Sequence, residues 1–455
     1  MTVPAKFNIA PNEVFPAIEK FMLRDGYDIV VDMERSKGSH VIDARTGDDW
    51  LDFYTFFASA PFGMNHERLL NDEFKEKIFR AAINKVANSD IYTLEMGEFV
   101  KTFTEVARPE GFDHLFLVDY GTLAVENSFK VAMDWKVNKL LAKGRITPGQ
   151  AVAGAKGTKI IHFNEAFHGR GGYTLSVTNT ADPNKTQRFA KFQDWPRIIN
   201  PKLSFPLTES SLALTEWTEE QALKQIKTAI ANDPDGHCAI IIETIQGEGG
   251  DNHFRTEFFK KLKEICVESD LMLIFDEVQC GMGITGKMWA WQYQVTPDIF
   301  AFGKKSQVCG IFVGPRVDEV ENNCFNVSSR INSTWGGTVV DMVRSTRYLE
   351  IYREENTLDY VANNAGPALM KGLEDLAREF PGFISNVRGK GLMCAFDVKT
   401  PELRGKFLKI CADLHMLILA CGTRTVRFRP ALNVPLSDIG KGMEIAREAA
   451  RRTFK

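Results

Sequence analysis

Five short apolar runs punctuate the middle of the chain: His114-Leu-Phe-Leu-Val118, Lys159-Ile-Ile-His-Phe163, Ala239-Ile-Ile-Ile242, Leu271-Met-Leu-Ile-Phe275 and Ile299-Phe-Ala-Phe302. None shows regular polar alternation. Such strands are buried on both faces, as in a parallel or mixed sheet covered by helices. Between the third and fourth runs, Phe258, Phe259, Leu262, Ile265 and Cys266 recur at helical spacing. Together these segments predict a βαβ unit with a right-handed crossover. Both strands then end at one edge of the sheet, where open α/β sheets place ligands.

The pattern differs at the two ends. Residues 13–24 predict a short amphipathic helix. Asp28–Asp32 and His40–Asp43 read as short alternating strands, and Thr46-Gly-Asp-Asp turns into Trp50-Leu-Asp-Phe-Tyr54, which predicts a small antiparallel meander. After about residue 340 come helices over Asp341–Arg353 and Asn364–Glu379, strands near Gly391–Phe396 and Thr425–Arg429, and a last helix. The chain thus divides into 1–67, a large unit at 68–338 and 339–455, with the two ends expected to combine into one smaller α+β domain.

Composition narrows the function classes. The 455 residues are 44% hydrophobic and 25% charged, with a formal net charge of -3. No field of that size draws the protein to nucleic acid or to an anionic membrane. Eight cysteines are scattered without a CxxC pair, which predicts reduced, buried thiols and a cytoplasmic location. Met1-Thr-Val-Pro-Ala-Lys-Phe-Asn8 lacks the pattern of a signal peptide, and no apolar run approaches the ~20 residues that span a bilayer. No metal site is assigned. The expectation is a cytoplasmic enzyme.

Candidate chemistry collects after the apolar runs. Asp119-Tyr-Gly121-Thr122 links a strand to a helix, and a glycine there lets backbone N–H groups approach an anion. Phe167 stands beside His168, Gly169 and Arg170, an aromatic to stack on a flat ring next to a guanidinium that can hold a carboxylate. Glu243 and Glu248 follow the third run, as ligand-edge groups or as solvated loop residues. Asp276 ends the fourth run, where a carboxylate needs a cationic partner; a protonated ring nitrogen would serve. Lys304 and Lys305 end the fifth, and strand alternation does not choose between them. Arg427 and Arg429 alternate with apolar residues and face either solvent or a carboxylate.

In order, these segments resemble the class III (ω-) aminotransferases, pyridoxal-phosphate enzymes of fold-type I. The most specific block is Leu273-Ile-Phe-Asp276-Glu-Val-Gln279-Cys-Gly-Met-Gly-Ile-Thr-Gly286 followed by Thr296-Pro-Asp-Ile-Phe-Ala-Phe-Gly-Lys304. The resemblance implies a mostly parallel, seven-stranded type of sheet and pyridoxal 5'-phosphate as cofactor. It selects Lys304, seven residues after the proline, as the Schiff-base lysine. It casts Asp276 as partner of the pyridine nitrogen, Phe167 and Val278 as the residues against the ring, Gln279 near the ring oxygen, and Gly121 and Thr122 as the phosphate loop. It also implies that Thr334 reaches the phosphate of a second subunit, hence a homodimer with shared sites. Arg170, Glu248, Asn332 and Arg427 become substrate-binding residues, with Glu248 masking Arg427 until a dicarboxylate arrives.

Several positions depart from the common pattern: Gly303-Lys-Lys-Ser-Gln-Val-Cys-Gly310, Asp119-Tyr120 with Leu123, and Thr244 where proline is usual. With Ser329-Arg-Ile-Asn-Ser-Thr334-Trp-Gly-Gly and Gly249-Gly-Asp-Asn-His-Phe254 they resemble the lysine-directed branch of the family. That branch implies transfer of the ε-amine of L-lysine to 2-oxoglutarate, giving 2-aminoadipate 6-semialdehyde and L-glutamate. Ornithine and 4-aminobutyrate are the alternative donors, and a non-catalytic binding relative is the alternative outside enzymes.

Overall fold

The computed structural model describes residues 8–454. The reading of Met1–Asn8 as free of a signal peptide falls almost wholly outside them. The architecture is built on a seven-stranded sheet. Side by side, its strands are His114–Val118, Cys309–Val313, Ile299–Phe302, Met272–Asp276, His237–Glu243, Lys159–Phe163 and Arg197–Ile198. Only Cys309–Val313 runs against the others. All five apolar runs are strands of this sheet, which is the mostly parallel α/β arrangement expected.

Residue alternation explains why these strands carry no polar face. Ile240, Ile242, Leu273, Phe275, Phe300 and Phe302 join one core, with Phe258, Phe259 and Leu262 of the helix Thr256–Glu268 and Phe99 and Phe103 of the helix Leu94–Ala107. Ala239, Ile241, Met272, Ile274, Ile299 and Ala301 join a second core against Ala124, Val125, Phe129 and Trp135 of the helix Gly121–Ala142. Each face is therefore covered by helix, and each fully buried aliphatic or aromatic side chain contributes roughly 1.5–3 kcal/mol.

The two chain ends meet in smaller sheets. An antiparallel sheet runs in the order Ile384–Lys390, Met393–Val398, Thr425–Phe428, Leu419–Cys421. Leu369 and Leu373 of the helix Gly366–Glu379 pack against it, and Met443 of the helix Leu436–Thr453 packs on that helix at Gly372. His40–Ile42 pairs antiparallel with Asp49–Asp52, as the meander predicts. The third strand comes from the other end of the chain: Met416–Leu417 lies parallel to Asp49–Asp52. Asp28–Asp32 is not a strand. It makes a single bridge, Val31 with Asp43. The Asp32 carboxylate accepts from the N–H groups of Glu34 and Arg35, at 3.0 and 2.8 Å, and so closes a turn that ends any extension. The helix expected over 13–24 is shorter, Val14–Glu19 after a 3₁₀ turn at Pro11–Glu13.

One segment beside the sheet is unusual. Thr55, Phe56, Phe57 and Ala58 form a left-handed turn, with φ of 41°, 51°, 60° and 63°. For L-residues this costs roughly 1–2 kcal/mol each. The turn is pinned at its start. Asp52 Oδ1 accepts from the N–H of Tyr54 and of Thr55, both at 2.8 Å, and Thr55 Oγ1 donates to the carbonyl of Arg429 at 2.7 Å.

All eight cysteines are buried and free. Among the described residues, no helix is long and apolar enough to cross a membrane.

Candidate active site

Four of the parallel strands, and the one that begins at His114, deliver their C-terminal ends to a common edge. A cavity of about 360 Å³ opens there, lined by Gly121, Thr122, Phe167, Asp276, Val278, Gln279 and Lys304 among others. These are the seven residues to which sequence assigned the cofactor within one subunit. They come from four strand ends: after Val118, after Phe163, at Asp276 and after Phe302.

At the first of these ends the helix Gly121–Ala142 begins without a side-chain cap and without an acidic residue in its first turn. Its leading N–H groups are left for an anion, reinforced by the helix dipole. A Cβ on Gly121 would stand 3.0 Å from Val278 Cγ1. Gly169, with φ +127°, would bring a Cβ to 2.2 Å from Thr122 Oγ1. Both glycines keep the cavity mouth open where bulk would close it.

Asp276 is buried, and its two oxygens are oriented by neighbours. His168 Nδ1 lies 2.8 Å from Oδ2, and the N–H of Val278 donates to Oδ1 at 3.0 Å. Each carboxylate oxygen has two lone pairs, so acceptor capacity remains toward the cavity. His168 was read from sequence only as a neighbour of Phe167; it is the residue that aims Asp276. Its Nε2 is buried without a hydrogen-bond partner among the described residues.

Glu243 overturns the solvated-loop reading. It is 3% exposed and accepts from the N–H of Phe167 and of Gly247, each at 2.9 Å. Burial, with the Asp276 charge added, pushes its carboxyl well above the ordinary range. It thereby ties the Phe167 loop to the Glu248 loop. Thr244, the departure from proline, donates to the buried Glu277 carboxylate, which also accepts from the N–H of Ala290 and Trp291.

The two lysines part company. The strand stops at Phe302, and Lys304 opens a 3₁₀ turn with φ +55°, so strand alternation does not extend to either residue. Lys304 lines the cavity, and its amine has no hydrogen-bond partner among the described residues. Burial and then the Arg427 guanidinium lower its pKa. Lys305 turns away and donates to the carbonyls of Gln279 at 2.9 Å and Ala58 at 3.4 Å.

Arg427 and Arg429 face neither solvent nor one another's partners. Arg427 is 3% exposed; its Nη1 donates to Gln279 Oε1 at 3.2 Å and its Nη2 to Glu248 Oε2 at 3.1 Å, while Nε is buried without a partner among the described residues. Arg429 is fully buried on Asp251. Sequence left both arginines open between solvent and a carboxylate; only Arg427 reaches the site, next to the cavity through Gln279.

Besides Glu248 and Arg427, three assigned residues lie outside the cavity wall. Arg170 is exposed and forms no hydrogen bond or ion pair among the described residues, one position beyond the cavity-lining Gly169. Asn332 is exposed on a separate concave surface shared with Asn88, Ser89 and Tyr92; Thr334, also exposed, adjoins it, its carbonyl accepting from Ser89 Oγ at 2.9 Å. Lys185, which sequence did not single out, bonds Glu248 Oε1 at 2.5 Å. A lysine in a polar loop carries no signal of such a role.

The residues present fit pyridoxal phosphate: an uncapped helix start for the phosphate, Phe167 and Val278 for a flat ring, an oriented carboxylate for a protonated ring nitrogen, and an unpartnered amine.

The family model described as "Aminotransferase class-III" matches residues 22–449. The L-lysine-epsilon aminotransferase of Mycobacterium tuberculosis is 46% identical over 441 residues, 96% of this chain and 95% of the relative. That of Amycolatopsis lactamdurans is 45% identical over 435 residues, 95% and 94%. Lysine aminotransferase from M. tuberculosis, solved in the internal aldimine form, superposes with a TM-score of 0.94 at 44% identity, covering 98% of this chain and 100% of that one.

Proposed function

The chain belongs to the class III aminotransferases, and on that premise we propose that it moves the ε-amine of L-lysine to 2-oxoglutarate, yielding 2-aminoadipate 6-semialdehyde and L-glutamate. It is a pyridoxal-phosphate enzyme, as the family is. The observation that carries the reading is the meeting of Lys304, Asp276 and the uncapped helix start at Gly121 in one cavity.

When bound, the cofactor supplies an electron sink for charge developing at the substrate carbon. The chain's own residues do the rest. Asp276, held by His168 and the N–H of Val278, keeps a ring nitrogen protonated by its charge. Gly121 and Thr122 hold the phosphate, and Phe167, Val278 and Gln279 position the ring. Lys304 would hold the cofactor through Nζ; once the substrate amine has taken its place, the freed Nζ, its pKa lowered, can take a proton from the substrate carbon that bears the amine and return one. Arg170 holds the α-carboxylate of lysine, with Asn332 as a further substrate contact. Glu248 covers Arg427 while the donor is bound and uncovers it for 2-oxoglutarate, whose two carboxylates Arg427 and Arg170 clamp; the Nε of Arg427, without a partner among the described residues, is a ready donor.

The proposal includes a cytoplasmic homodimer, in which Thr334 of each subunit serves the phosphate of the other. It also includes the division into 1–67, 68–338 and 339–455. Donor choice is the sharpest test, since one methylene is worth only roughly 1–3 kcal/mol in an apolar pocket. With 2-oxoglutarate as acceptor, kcat/KM for L-lysine is expected to exceed that for L-ornithine and 4-aminobutyrate by about tenfold or more. A preference for ornithine would overturn the substrate assignment.

A further inference from the structure

Glu248 has two partners, and the way they divide its carboxylate is informative. Lys185 Nζ takes Oε1 at 2.5 Å, and Arg427 Nη2 takes Oε2 at 3.1 Å. The three side chains form a gradient from outside to inside: Lys185 is 27% exposed, Glu248 16% and Arg427 3%. A carboxylate facing a guanidinium alone prefers the paired, two-bond geometry. Here Glu248 gives Arg427 one bond only, and the Nε of Arg427 is left buried without a partner.

Both ends of this relay are anchored. Glu248 stands between Gly247 and Gly249, and its carbonyl accepts from the N–H of Gly422 at 2.8 Å. The backbone is thus tied to the smaller antiparallel sheet's final hairpin, which leaves the side chain as the part free to swing. Lys185 closes the single 3₁₀ turn Pro183–Lys185, whose start is capped by Asp182 accepting from the N–H of Asn184 at 3.0 Å. Its ammonium therefore projects from a fixed base.

We propose that Lys185 is a positioning residue that holds Glu248 in a half-released state. By claiming one carboxylate oxygen, it denies Arg427 the two-bond pairing. When a dicarboxylate arrives, Glu248 gives up one hydrogen bond rather than two and keeps a charged partner after it leaves. The donor half-reaction needs no such release, because lysine brings no carboxylate to Arg427. The inference rests on the proposed roles of Glu248 and Arg427.

The test is Lys185→Met in the holoenzyme, with KM measured separately for 2-oxoglutarate and for the amine donor. Freed of Lys185, Glu248 turns both oxygens to Arg427. A further charge-assisted bond on the mask raises KM for 2-oxoglutarate about five- to twentyfold. The donor KM moves less than about twofold by the same argument. Lys185→Arg restores the acceptor KM, and in a Glu248→Gln background Lys185→Met has no further effect. An acceptor KM within about twofold of wild type, a parallel rise in both KM values, or an equal rise in the Glu248→Gln background each overturns the proposal. A wild-type enzyme that transfers no amine from any ω-amine donor to 2-oxoglutarate overturns the proposed function and this inference with it.

Discussion

Lys304 and Lys305 are adjacent in sequence and opposite in environment. One amine faces a cavity with no hydrogen-bond partner; the other is clamped by the carbonyls of Gln279 and Ala58. Burial and the Lys304 charge beside it press the Lys305 pKa down to about 7. The contrast makes the two variants separable. Lys304→Ala is expected to lower kcat by roughly a thousandfold or more and to abolish the visible absorbance of the lysine–cofactor linkage. Lys305→Ala keeps that absorbance and most of the rate. It melts earlier, because two buried carbonyls lose their donor, at a cost of roughly 1–3 kcal/mol. Absorption spectra and melting curves of the two proteins decide the matter. At this scale sequence alone stopped short. The residue types and the edge of the sheet were legible, but the positive φ at Lys304 that separates the lysines is set by packing, and only the family register distinguished them. His168 and Lys185 were silent because each works through a carboxylate distant in sequence.

The left-handed turn at Thr55–Ala58 shows how an element is held against its own preference. Asp52 supplies the anchor, its Oδ1 shared by two N–H groups while Oδ2 is buried without a partner. Burial raises the Asp52 carboxyl to about 6 from an ordinary 3.8. A folded-state pKa above the unfolded one contributes stability that is complete below about 3.8 and lost as pH rises through about 6. Asn keeps the accepting oxygen and carries no charge. Relative to wild type, Asp52→Asn should therefore gain stability as pH rises from 4.5 to about 7, on the order of 2–3 kcal/mol, and gain nothing beyond. Melting temperatures of the two proteins across that range check it; a difference independent of pH would mean that folding does not raise the Asp52 pKa. Nothing in Tyr54-Thr-Phe-Phe-Ala58 announces a left-handed turn, since no glycine marks it. The strands were legible for the opposite reason: a strand buried on both faces has little room for polar residues, and all five apolar runs proved to be strands, with His162 the one polar side chain buried in mid-run. Cys309–Val313, which is equally apolar, was overlooked because it follows the lysines so closely that it reads as part of their loop.

At the scale of the whole molecule, the assigned residues fall on two separate surfaces. Lys304 and Asp276 line the cavity, whereas Asn332 is exposed on one surface with Tyr92, which is 75% exposed, and the exposed Thr334 adjoins it through Ser89; the neighbouring Ile91 and Leu94 are 69% and 84% exposed. The proposed role of Thr334, on an exposed surface away from the cavity, makes sense if a second copy covers that surface and receives it. Symmetry then dictates a complementation result. Take Lys304→Ala and Thr334→Ala, each inactive or weakly active alone, and let their subunits exchange. In a mixed dimer one site lacks both residues. The other has Lys304 from the second chain and Thr334 from the first, and is complete. Random exchange makes about half of the dimers mixed, each with one intact site of two, so activity should recover to about a quarter of wild type. Recovery must follow exchange, appearing after dissociation and reassociation rather than on simple mixing. If the activity of the mixture stays at the mean of the two variants while mass measurement shows mixed dimers, Thr334 acts within its own chain and the shared-site arrangement is wrong. If the chain runs as a monomer with full activity, the exposed apolar surface requires another explanation, and Asn332 loses its route to the substrate as well.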